Sequence, residues 1–153
     1  MKLLAFPLLL CLLFVACKPG ATADTNAAAP VSDDPAALEA QVLAIHDEIM
    51  PKMSDITDLN GKLRDYKKNI PEDASGKIVS PSGLEEAIGS LKLAEQGMWD
   101  WMKQYNDAKA TVQPDQLKSF YGHQLELVNK VKTDMLAAIE KAQTWVAEHP
   151  NQK

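Results

Sequence analysis

Apolar residues between Pro35 and about Ile70 fall at Leu38, Val42, Ile45, Ile49, Ile56, Leu59, Leu63, Tyr66 and Ile70. The steps alternate between three and four, with one position skipped at Lys52, which is the stripe of a long amphipathic helix. Ser32, Asp33 and Asp34 are cap candidates, and Pro35 suits a first helical position, so the start is well marked. Pro51 lies inside the stripe, where it removes a backbone hydrogen bond and crowds a carbonyl. The expectation there is a kink, with a full break as the alternative.

Residues 71–81, with Pro71, Gly76 and Pro81 among acidic, Ser and Ala side chains, are turn-like and predict a surface loop. A second stripe follows at Leu84, Ala87, Leu91, Ala94, Met98, Trp101 and Tyr105. Asn106 to Gln113 reads as a connection, and a third stripe opens at Pro114-Asp115. It carries Leu117, Tyr121, Leu125, Val128, Val131, Met135, Ile139, Ala142 and Val146, and stops at Pro150. No segment alternates with period two, and Ile78-Val79 is too short to found a sheet. The fold class predicted is all-α: an antiparallel up-down-up bundle of three long helices over residues 34–150, sharing one core.

The N-terminus follows a different pattern. Lys2 is followed by Leu3 to Val15 without a charge, then by Ala16 and Cys17. This is the anatomy of a signal peptide over residues 1–16. The apolar run is shorter than the ~20 residues that span a bilayer core, so a transmembrane helix is the weaker reading. Phe14-Val15-Ala16-Cys17 resembles the processing box of bacterial lipoproteins, although the family usually has Leu where Phe14 stands. Cys11 does not compete, since Leu10 before it is too large. The resemblance implies that Cys17 becomes the first mature residue, with a diacylglyceryl group on its sulfur and a further acyl chain, such as palmitate, on its amine. Several chains hold durably, because each buried methylene contributes about 0.8 kcal/mol.

Removal of residues 1–16 takes away Cys11 and one cation, Lys2, but no acid, so the net charge of −5 becomes one unit more negative. With Cys17 capped by lipid, the mature chain keeps no thiol for disulfides or zinc. A chain this acidic lacks the basic stripe that gives nucleic-acid binding most of its affinity. Residues 17–33 hold small and polar residues, two prolines and no aromatic, and read as the lipidated cysteine followed by a flexible tether. As a coil the tether would span on the order of 20 Å.

One constellation carries candidate chemistry. His46, Met50 and Met53 stand at i, i+4 and i+7 beside the first apolar seam, and Met98 and Met102 form an i, i+4 pair in the second helix. Closing the hairpin through residues 71–81 sets Met50 level with Met102 and Met53 level with Met98. Imidazole and thioether suit a soft ion such as Cu(I), and a Met with a His can also ligate haem iron. The plainer reading is a Met layer packing against aromatic neighbours.

The other polar features have simpler expectations. His123 is expected at the surface, and His149 in the last turn is favoured by the helix dipole as a cap. Lys52 and Glu95 occupy seam positions and could pair across the interface or reach solvent separately. No Gly-x-Ser-x-Gly, phosphate loop, His-Glu-x-x-His or calcium loop is present, and no acid–base pair stands out, so a non-catalytic role is expected.

The segment Ala44-Ile45-His46-Asp47-Glu48-Ile49-Met50-Pro51-Lys52-Met53-Ser54-Asp55-Ile56, together with Met98-Trp99-Asp100-Trp101-Met102, resembles a group of small bacterial envelope lipoproteins of uncharacterised role. In that group a His-Asp-Glu-x-Met-Pro-Lys-Met block precedes a Trp-Met block. Members are sometimes labelled viral A-type inclusion protein, a label that reflects generic coiled-coil similarity. The resemblance covers the signal and both blocks, about half the chain. It implies an envelope location, and Lys18 rather than Asp after the cysteine leans towards the outer membrane. The expectation is a lipid-anchored binding or structural module with an envelope protein as candidate partner, and a copper or haem binder as the alternative.

Overall fold

The computed structural model describes residues 34–150, and the expected signal, Cys17 and tether lie outside them. Four α-helices form three rods: α1 (Pro35–Ile49) and α2 (Lys52–Lys68) make the first, α3 (Leu84–Lys109) the second, and α4 (Leu117–Glu148), entered through a 3-10 turn at Pro114–Gln116, the third. There is no strand among the described residues; Glu72 and Ile78 make a single antiparallel bridge.

The start of α1 follows from its cap. Asp34 Oδ1 accepts from the Ala36 N–H at 3.1 Å, while Pro35 sits where a missing N–H costs nothing. The rod then bends at Pro51 without leaving right-handed helical space: Met50 has φ −56°, ψ −39° and Pro51 φ −59°, ψ −23°. The Met50 N–H reaches the His46 carbonyl at 2.8 Å, but the next donors tighten to i−3, Met53 to Met50 (3.1 Å) and Ser54 to Pro51 (3.3 Å). Ser54 Oγ also donates to the Pro51 carbonyl at 2.7 Å, satisfying an acceptor the bend exposes. Of the two outcomes expected at Pro51, the structure takes the kink.

The loop after α2 is built around Asp73, whose Oδ1 accepts from the Ser75 and Lys77 N–H groups and the Ser75 hydroxyl at 2.6 to 3.0 Å. Those bonds, the Ser75 hydroxyl foremost, hold the Asp73 carboxyl below its usual pKa. Gly83 then opens α3 with φ +81°, and a Cβ there would stand 3.3 Å from Trp145 Cδ1. Only glycine fits both demands. Trp145 Nε1 in turn donates to the Ser82 carbonyl at 2.9 Å, tying the end of α4 to the start of α3.

All seven residues of the α3 stripe are buried, in one core with Leu38, Val42, Ile49, Ile56, Leu59 and Leu63 of the first rod and Val128, Met135, Ile139 and Ala142 of α4. Burying a side chain such as Leu91 or Ile56 contributes about 1.5–3 kcal/mol. α3 runs to Lys109, about a turn past the expected connection, and Lys109 there pairs with Glu39 of α1. Lys52, in the seam gap, turns to Asp55 on its own helix at 3.1 Å rather than across to Glu95.

The bend has a long-range effect on register. Below it, Lys67 Nζ meets Glu85 Oε1 at 2.7 Å, as the count from the loop requires. Above it, His46 rather than Met50 meets Met102, and Glu39 meets Tyr105 and Lys109. α1 is therefore offset from α3 by about one helical turn relative to straight-rod counting. α1 packs chiefly along α4, whereas α2 packs on both α3 and α4.

Candidate functional site

Where α1 leans towards α4, long side chains close the distance to α3. They line an open cleft of about 170 Å³ between Leu43 and His46 on one side and Trp101, Met102, Tyr105 and Asn106 on the other. The His46 ring is partly exposed, at 22 %. Its Nδ1 lies 2.9 Å from Asp47 Oδ1 and its Nε2 lies 3.3 Å from Met102 Sδ. An ionised carboxylate can only accept, so the network assigns the Nδ1 proton to the Asp47 bond. Nε2 is the ring nitrogen that faces the sulfur.

Of the five residues expected to converge, the structure brings together His46 and Met102. Met98 is wholly enclosed in the core, and Met50 and Met53 are half-buried against it. No sulfur other than that of Met102 is within hydrogen-bonding reach of His46 among the described residues.

Trp101 makes the floor of the cleft and is 5 % exposed. Its ring centroid stands 5.7 Å from that of His46, tilted by 34°, and 5.4 Å from that of Tyr105, tilted by 32°. The indole N–H donates to Oε1 of Gln124, the buried polar residue of α4, at 3.1 Å. The ring is thereby fixed from inside the bundle. No buried side-chain nitrogen or oxygen among the described residues lacks a partner.

Next along the same interface, Glu39 of α1 gathers Lys109, Tyr105 and Tyr121. The Lys109 ammonium bonds the Glu39 carboxylate, and the Tyr105 hydroxyl donates to the same oxygen at 3.5 Å. Lys109 is the main reason the Glu39 carboxyl titrates below its ordinary range. Burial, reinforced by the Glu39 charge, pushes the Tyr121 hydroxyl up to about 12. This cluster closes the α1–α3–α4 end with charge-assisted bonds. Sequence periodicity missed it because Glu39 and Lys109 each read as surface charges on separate helices.

A larger cleft of about 320 Å³ lies among Leu63, Tyr66, Trp145 and His149. Its imidazole is committed: His149 Nδ1 is 2.8 Å from the Trp145 carbonyl, and the two rings stack at 4.0 Å and 10°. His149 thus caps the end of α4, as the dipole argument expects, and Tyr66 meets Trp145 edge-on at 4.6 Å. His123 is exposed, with its side chain 64 % accessible.

Comparison with known proteins finds no matching family model, no matching curated protein and no matching solved structure. What the fold defines is an all-α antiparallel bundle of three rods, the first one bent.

Proposed function

We propose that the protein is a bacterial lipoprotein held on an envelope membrane, on the outer-membrane side of the sorting choice, by acylated Cys17. Residues 17–33 serve as its tether, and the bundle acts as a non-catalytic binding or structural module. The observation that carries this reading is the uncharged run from Leu3 to Val15, set between Lys2 and Ala16-Cys17. No helix among the described residues is long and apolar enough to cross a membrane, so in this reading attachment runs through lipid. A structural module is supported by a bundle in which the buried polar side-chain atoms of the described residues are satisfied and cross-helix charges, such as Lys132 with Glu48 at 2.6 Å, hold the rods together.

The test is to express the full chain in a bacterium, fractionate the envelope and determine the mass of the N-terminal peptide. A peptide starting at acylated Cys17, with the protein leaving membranes only in detergent, is expected. Cys17→Ser should abolish acylation. An unmodified thiol at position 17, or release by salt alone, would sink the proposal. Crosslinking in intact cells should then retain one envelope protein with the wild type.

A further inference from the structure

We propose that the cleft between α1 and α3 binds a soft monovalent metal ion, Cu(I) or Ag(I), through His46 Nε2 and Met102 Sδ against the face of Trp101. The inference is independent of how the protein is anchored.

Three observations support it. First, two atoms able to ligate a metal, His46 Nε2 and Met102 Sδ, stand 3.3 Å apart, and Asp47 Oδ1 lies 2.9 Å from the other ring nitrogen. A carboxylate on the remote ring nitrogen is the usual companion of a metal-ligating histidine, because it fixes the tautomer and raises the basicity of the free nitrogen. Second, the spacing suits chelation. An N···S separation of 3.3 Å is shorter than the sum of a metal–nitrogen and a metal–sulfur bond, about 2.0 and 2.3 Å at zinc and longer at silver, so both atoms can reach one ion. Third, Trp101 supplies a fixed aromatic face in the same cleft, held by Gln124 behind it and Tyr105 beside it. An indole face attracts a cation most strongly among the aromatic side chains.

The donor set selects the ion. A neutral thioether and a neutral imidazole bring no charge, and a ring face suits a large, weakly hydrated monovalent ion better than a hard divalent one. Among the described residues, no three His, Cys, Asp or Glu side chains gather to hold a harder ion. At about 170 Å³ and open to solvent, the cleft admits a bare ion but lies below the size range of pockets that enclose organic ligands, which disfavours haem.

The test uses the full chain carrying Cys11→Ser and Cys17→Ser, so that no thiol competes, titrated with Ag(I), which needs no reductant. One equivalent should bind, shifting the methyl carbon resonance of Met102 and the ring resonances of His46 and quenching Trp101 fluorescence. Met102→Leu and His46→Ala should each weaken binding at least tenfold with helicity retained, while Met98→Leu should leave it unchanged. Zn(II) should not displace Ag(I). The proposal is overturned if no saturable binding occurs, if the resonances of Met50 or Met53 move in place of Met102, or if Zn(II) binds the site as tightly. Because the resonance shifts are read on unsubstituted Met102 and His46, the result stands even if one variant fails to fold.

Discussion

Trp101 on α3 and Gln124 on α4 form a buried side-chain hydrogen bond, 3.1 Å from indole nitrogen to amide oxygen. Among the described residues Gln124 is the buried one with a polar amide side chain, and that bond accounts for its position. Gln124→Leu should leave the indole N–H unsatisfied and cost about 1–3 kcal/mol of unfolding free energy. Adding Trp101→Phe should return part of that loss, because both polar partners are then gone. Urea unfolding of the two variants checks this; equal stability of Gln124→Leu and wild type would remove the bond from the account.

Glycine positions should divide cleanly in sign. Gly83→Ala forces a side chain into φ +81° and towards Trp145 Cδ1 at 3.3 Å, and it should destabilise by about 1–2 kcal/mol or more. Gly89→Ala, inside α3 with open space around it, should stabilise by about 0.5–1 kcal/mol. Thermal unfolding of both variants is the measurement, and a shared sign would contradict the backbone argument.

Stability should fall at both pH extremes for identifiable reasons. Glu39 and Glu86 have their carboxyl pKa lowered in the fold, chiefly by hydrogen bonds from Lys109 and Lys141 respectively. Groups lowered in this way contribute stability that is present above their unfolded pKa and lost as pH falls through the folded one. On the alkaline side, burial raises Tyr121 from 10.0 to about 12. Its contribution is present below the unfolded value and lost as pH rises towards the folded one. Glu39→Gln should flatten the acid limb of a denaturation-versus-pH curve, and Tyr121→Phe the alkaline limb. A limb unchanged by its variant would reject that assignment.

The sequence reveals the buried face of α3 in full, Leu84, Ala87, Leu91, Ala94, Met98, Trp101 and Tyr105, but not its last turn to Lys109. α4 was harder to read. Gln124, Ala138 and Trp145 turn inward, while Leu125, Val131 and Val146 are only half-buried. The reason is that α4 is packed by α1, α2 and α3 together, so its buried face is wider than one seam. Gln124 is polar, and the indole that justifies burying it belongs to another helix, which one-dimensional periodicity cannot register.

The candidate site was partly legible for a related reason. Helical spacing expects His46, Met50, Met53, Met98 and Met102 in one layer, with Met50 opposite Met102, because counting from the loop assumes straight rods. The Pro51 bend moved α1 by about one turn, exchanging Met50 for His46 opposite Met102. Side-chain direction separated the methionines further, sending Met98 into the core.

The two halves of the first rod also differ in what secures them. α1 buries Leu38, Val42 and Ile49 chiefly along α4, whereas α2 packs on two partners, and the i−4 ladder is interrupted between them. Helical cooperativity therefore stops at Pro51. Amide protons of α1 should exchange with deuterium faster than those of α2, as a separate opening unit, and equal rates along the whole rod would argue against this. The protein would then possess a low-energy partially unfolded form in which the α1 segment peels away while the other three helices persist, and the imidazole of His46 leaves with it.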